Sequence, residues 1–65
     1  MVMIVAGRIR RVDTDRRIVG IGRNEVWVPR HIPFVDIVGS EIISAVCEER
    51  DGRYWMVSFR TDLVP

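Results

Sequence analysis

The sequence predicts an all-β chain folded as one small barrel, and three observations predict it. Apolar residues recur mostly at alternate positions, as a strand with one buried face requires. Most of them are Val or Ile, whose branched side chains suit a pleated surface better than a helix. The chain has 65 residues. A domain of that size buries only about 60% of the surface its unfolded chain exposes, so a sheet that closes most of its edges is the architecture it can sustain.

The elements follow in order. Met1 to Val12 is a long first strand, interrupted by Asp13-Thr14-Asp15, residues that form Asx-type turns. Arg16-Arg17 then lead into a second strand, Ile18-Val19-Gly20-Ile21. Ile9 and Val12 cannot both face inward on a regular strand, so a bulge is expected at Arg10-Arg11, re-aiming an arginine. Gly22-Arg23-Asn24 makes a second tight connection to Glu25-Val26-Trp27-Val28, with both valines inward and Trp27 on the other face. Pro29 stops that strand or keeps it at an edge.

From Arg30 to Ser40 the period changes. After Pro33, Phe34, Ile37 and Val38 fall at i, i+3 and i+4, with Gly39 where a helix would end, which predicts one short helical turn. Glu41 to Glu49 and Arg53 to Arg60 are the last two strands, joined at Arg50-Asp51-Gly52, where Asp-Gly is a strong hairpin signal. Trp55, Val57 and Phe59 are expected inward, with Tyr54, Met56, Ser58 and Arg60 on the other side. Thr61 to Pro65 is a short tail. Three strands, a helical turn and two strands match a small five-stranded OB-like barrel, with its helix between strands three and four. An SH3-like barrel is the alternative.

Composition excludes several function classes. One Cys cannot form an internal disulfide, and Cys47 with His31 cannot supply the ligands of a structural zinc site. No apolar stretch reaches the roughly 18 residues of a membrane span, and Met1 to Ala6 is too short for a signal-peptide core, so a cytoplasmic protein without a membrane partner is expected. Ser40, Ser44 and Ser58 lie in no nucleophile motif, Cys47 alternates with Ile43 and Ala45 as a small core residue, and Gly20-x-Gly22 is too little for a phosphate loop. Glu48, Glu49 and Asp51 read as solvated charge at a hairpin tip. No catalysis, cofactor or metal is expected.

Several segments resemble the cold-shock domains. Gly7-Arg8-Ile9-Arg10-Arg11-Val12-Asp13 is similar to that family's first strand, Gly-x-Val-Lys-Trp-Phe-Asn; Glu25-Val26-Trp27-Val28 is similar to its Asp-Val-Phe-Val, and Val38-Gly39-Ser40-Glu41-Ile42 to the Gly-x-x-Val opening its fourth strand. Similar patterns occur in bacterial translation initiation factor one and in OB-type domains of some ribonucleases. The resemblance implies an OB barrel that binds single-stranded nucleic acid. It departs from the family at the stacking aromatics, whose positions fall on Ile18, Gly20 and Arg11, leaving Trp27 alone.

Charge sharpens that expectation. The net charge is only +1, but residues 1–31 hold seven Arg against three acids and carry +4, whereas residues 32–65 hold three Arg against six acids and carry −3. A basic half attracts a phosphate backbone by counterion release. All ten basic residues are Arg, which suits bidentate and stacking contacts; a compositional bias of the source genome would explain the missing Lys but not the clustering. The expected partner is therefore single-stranded nucleic acid, RNA before DNA. Trp27 would stack on a base, Arg10, Arg11, Arg16 and Arg17 would track phosphates, and Arg30 and His31 would line the rim. The alternative is a protein-interaction or assembly module, for example a phage or plasmid accessory protein acting as a homodimer or other small homo-oligomer, with Trp27, Tyr54 and Met56 in the contact.

Overall fold

The computed structural model describes residues 1–61; residues 62–65, most of the expected tail, lie outside them. Strands β1 (Val2–Asp13), β2 (Ile18–Ile21) and β3 (Asn24–Trp27) precede helix α1 (Phe34–Val38), and β4 (Ile42–Arg50) and β5 (Arg53–Thr61) follow. They close a barrel in the order β1-β2-β3-β5-β4. All neighbours are antiparallel except β3 and β5, which run parallel. This is the expected small OB-like barrel, and the one helix among the described residues lies between the third and fourth strands.

The long β1 makes closure possible because it serves two partners. Val2 to Arg8 pair with β4, and Ile9 to Asp13 pair with β2. Between Ile9 and Arg11 the register shifts, so the expected bulge is present: Arg10 is the extra residue, and Ile9 and Val12 both pack against the core. The turn that follows is an Asx turn, with the Arg16 backbone N–H donating to Asp13 Oδ1 at 3.1 Å.

The core is filled from every strand by alternate residues: Val5 of β1, Val19 and Ile21 of β2, Val26 of β3, Ile43, Ala45 and Cys47 of β4, and Met56 of β5. The loop after β3 and the short helix add Val28, Ile32, Phe34 and Ile37, apolar bodies that plug the barrel. Val38, expected on the same apolar face, is 46% exposed. The helix has only five residues and no side-chain cap, so it persists through the burial of Phe34 and Ile37 rather than through helix propensity.

The β4–β5 hairpin turns at Asp51 and Gly52 with φ of +54° and +76°, a pairing that Asp-Gly adopts with little strain. The phase expected for β5 is corrected by the structure over its first half. Met56 is 1% exposed and Tyr54 packs against the core, whereas Trp55 turns to the outside and Val57 is 50% exposed. A register shift between Val46 and Cys47 is the cause: Cys47 faces Met56 but Val46 faces Ser58, so Val57 is the extra residue. Beyond it the parity reverses, and Phe59 packs inward as expected. Thr61, expected in the tail, pairs with Ile43 as the last residue of β5.

Candidate functional site

Trp27 lies on the outside of β3 because Val26 and Val28 occupy the inside. Its neighbours across the sheet are Ile18 on β2 and Trp55 on β5. The two indole rings lie 5.7 Å apart, tilted by 36°, within the range where aromatic pairs attract. Ile18 is only 6% exposed although it sits outside the core cluster, so the outer face carries a small apolar strip of its own across three adjacent strands. Both indoles are half-buried.

Arginines cover this strip. The Arg53 guanidinium stands 4.4 Å from the Trp27 ring centre and that of Arg50 5.5 Å from the Trp55 ring centre, contacts worth about 0.5–1 kcal/mol each at exposed sites. Arg50 also meets Glu48 at 3.3 Å. Beside Trp27 an open groove of about 600 Å³ runs between the β2–β3 turn and the β4–β5 hairpin, walled by Arg23, Asn24 and Glu25 on one side and by Gly52, Arg53 and Tyr54 on the other.

Two residue pairs further along the sheet, Gly20 separates Arg11 of β1 from Glu25 of β3. A Cβ at Gly20 would meet the Cβ of Arg11 at 3.1 Å. With no side chain there, Arg11 reaches over β2 and its Nη2 meets Glu25 Oε2 at 3.1 Å. Arg10, Arg11 and Arg23 surround a smaller hollow of about 200 Å³ above Gly20 and Gly22.

Arg17 has a different role from the one expected of it. Its Nε donates to the Val28 carbonyl at 3.1 Å, its Nη2 donates to those of Pro29 at 3.0 Å and Ile32 at 2.6 Å, and its guanidinium lies 5.1 Å from the centre of the Phe34 ring. The guanidinium fastens the β1–β2 turn to the loop that leads into α1, and it holds Arg17 at a φ of +56°. Arg16, Arg30 and His31 are exposed. Because Arg17 bridges the two loops, they gather at the end of the barrel away from the β2–β3 turn.

Of the residues singled out in the sequence, the structure thus brings Trp27, Arg10 and Arg11 onto one side, and it adds Arg23. It places Arg16, Arg30 and His31 at one end and commits Arg17 to the scaffold. Trp55, Arg50 and Arg53 were missed. The first carries no signal, since β5 is apolar on both parities; the other two flank the Asp-Gly turn and could have been placed at a loop tip.

Burial pushes the Cys47 thiol above its ordinary value of 9.0 through loss of solvation, so it is an inert core group. Among the described residues no group of three His, Cys, Asp or Glu gathers to hold a metal ion, and no helix is long and apolar enough to cross a membrane. Compared with family models, characterised proteins and solved structures, the chain finds no match.

Proposed function

We propose that the protein is a non-catalytic binding module for single-stranded nucleic acid, RNA before DNA, that uses the outer face of β2, β3 and β5. The observation that carries this is the Trp27–Trp55 pair, set side by side on the outside of a barrel and roofed by Arg50 and Arg53. Half-buried indoles on an outer face lie outside the core and offer flat apolar surfaces to unstacked bases, at about 1–3 kcal/mol per base. The arginines supply the complementary charge for phosphates. In OB barrels the face of strands two and three is part of the usual oligonucleotide surface, and here the last hairpin, β4–β5, borders it. Likeness to cold-shock domains belongs to the same proposal: the second indole takes up the stacking function that the substitutions at Ile18 and Gly20 remove.

A titration of intrinsic Trp fluorescence with oligo-uridine, at low and moderate salt, tests it. Saturable quenching is expected, with an affinity that falls as salt rises by about 0.7 log units per log unit for each phosphate neutralised. A spectrum unmoved by oligo-uridine at low salt would overturn the proposal.

An exposed apolar stripe favours a second reading, that of a small homo-oligomer. Val2 and Ile4 of β1 are 64% and 68% exposed, and Val57 of β5, next to the Ser58 that faces Val46, is also open. The paired row Ile4–Val46–Ser58 is uncharged, so two copies could meet there without like-charge repulsion. Light scattering separates the two readings, which place their contacts on different faces.

A further inference from the structure

We propose that the hollow beside the β1 bulge, walled by Arg10, Arg11 and Arg23, is a phosphate subsite that takes the backbone of the strand whose bases stack on Trp27 and Trp55; it rests on the function proposed above.

Three features of the hollow point to an anion. The bulge at Arg10 interrupts the alternation of β1, so two consecutive arginines stand on the outside, and the β2–β3 turn brings Arg23 against them. Three positive side chains therefore share about 200 Å³ with a single carboxylate, Glu25. Mutual repulsion among them is only partly relieved in the free protein, and a phosphate would relieve the rest. Second, the floor is open. Gly20 and Gly22 lie under the arginines with no side chains of their own, and at Gly20 even a methyl group would press on Arg11. Third, Glu25 Oε2 meets Arg11 Nη2 at 3.1 Å, which orients the guanidinium, and a guanidinium with five N–H groups has donors to spare for a phosphate. The same carboxylate repels an anion, so it also limits affinity.

The hollow adjoins the stacking groove, since Arg23, Asn24 and Glu25 line both. This gives the bound strand a path. It enters at the β1 bulge, crosses the β2–β3 turn, and reaches Trp27 between that turn and the β4–β5 hairpin. The path leaves out the far end of the barrel, so Arg16 and Arg30 contribute only to the long-range field.

Two double variants with the same charge change test this. Arg10→Ala/Arg23→Ala and Arg16→Ala/Arg30→Ala each remove two exposed arginines, and thermal melts establish that both fold. Anisotropy of a short labelled oligo-uridine is read across a salt series, and the same proteins are titrated with inorganic polyphosphate, which has phosphates and no bases. The first variant is expected to lose at least about tenfold in oligo-uridine affinity, with a salt slope shallower by about 1.4, the value for two contacts. The second should lose less than about threefold. Glu25→Gln should tighten both ligands about two- to threefold. Equal losses in the two variants would overturn the subsite and leave the function standing. Polyphosphate binding that depends on Arg10 and Arg23, with no binding of oligo-uridine, would overturn the function and with it the subsite's role for a nucleic-acid strand, leaving the hollow as a site for anions without bases. A wild-type protein that binds neither ligand would overturn both.

Discussion

The outsides of the two halves of this barrel are chemically unlike. Over β2, β3 and β5 the surface is aromatic and basic: Trp27 and Trp55 with Arg11, Arg50 and Arg53. Along the row Ile4–Val46–Ser58 of β1, β4 and β5 it is aliphatic and uncharged, with Ile4 and the neighbouring Val57 open to solvent. Both halves enclose the same core. The difference teaches that the inside of a small barrel fixes only alternate residues, leaving each outer face open to separate selection.

The comparison breaks most severely if the shared core is damaged. Ile37→Ala removes a fully buried side chain from the plug of the barrel, at a cost of about 2–5 kcal/mol. That is comparable to the total stability of about 3–5 kcal/mol that a single core of this size supplies, so urea denaturation should find the variant largely unfolded. Arg17→Ala is expected to cost roughly 2–3 kcal/mol, since three carbonyls lose a charged donor. It should lower the melting temperature while the Trp27–Trp55 pair remains in place. An unchanged melting temperature would show that those bonds contribute nothing net.

Trp27→Ala and Trp55→Ala sharpen the comparison from the outer side. Each should weaken oligo-uridine binding by about 1–3 kcal/mol, measured by anisotropy, with melting temperatures lowered far less than by Ile37→Ala. Equal binding by Trp55→Ala and wild type would reduce the platform to Trp27. On the aliphatic face Ile4→Glu should change stability by no more than about 0.5 kcal/mol and leave oligo-uridine binding intact. If the protein self-associates through that face, light scattering should show the variant as a monomer.

Cys47 gives the smallest effect, and its sign follows from burial. The folded thiol titrates above 9.0 because burial disfavours the thiolate, whereas the unfolded thiol ionises near its ordinary value. Folding therefore holds the proton more tightly, and this contribution to stability is full below about pH 9 and is lost as pH rises through the folded value. Alkylation at pH 8 should proceed only as fast as the barrel opens.

Much of this was legible from the residues. The five strands, the helical turn after Pro33 and the Asp-Gly hairpin follow from alternation and turn chemistry, and even the bulge at Arg10 follows, because Ile9 and Val12 have incompatible parity. The bulge in β5 was hidden. There Tyr54 and Met56 compete with Trp55 and Val57, both parities are apolar, and nothing local selects one. Alternation alone therefore points Trp55 inward, and half of the candidate stacking surface carries no local signal.

The division of charge shows the same limit. Along the chain the first half carries +4 and the second −3, yet the two guanidiniums nearest the indoles, those of Arg50 and Arg53, come from the acidic half. Local sequence determined which residues form strands, where the chain turns and where β1 must bulge, since each depends on neighbours a few positions away. Which strands lie side by side was decided only by closure of the barrel. It sets β5 parallel to β3, which brings Trp55 beside Trp27 and basic residues from distant parts of the chain around one groove.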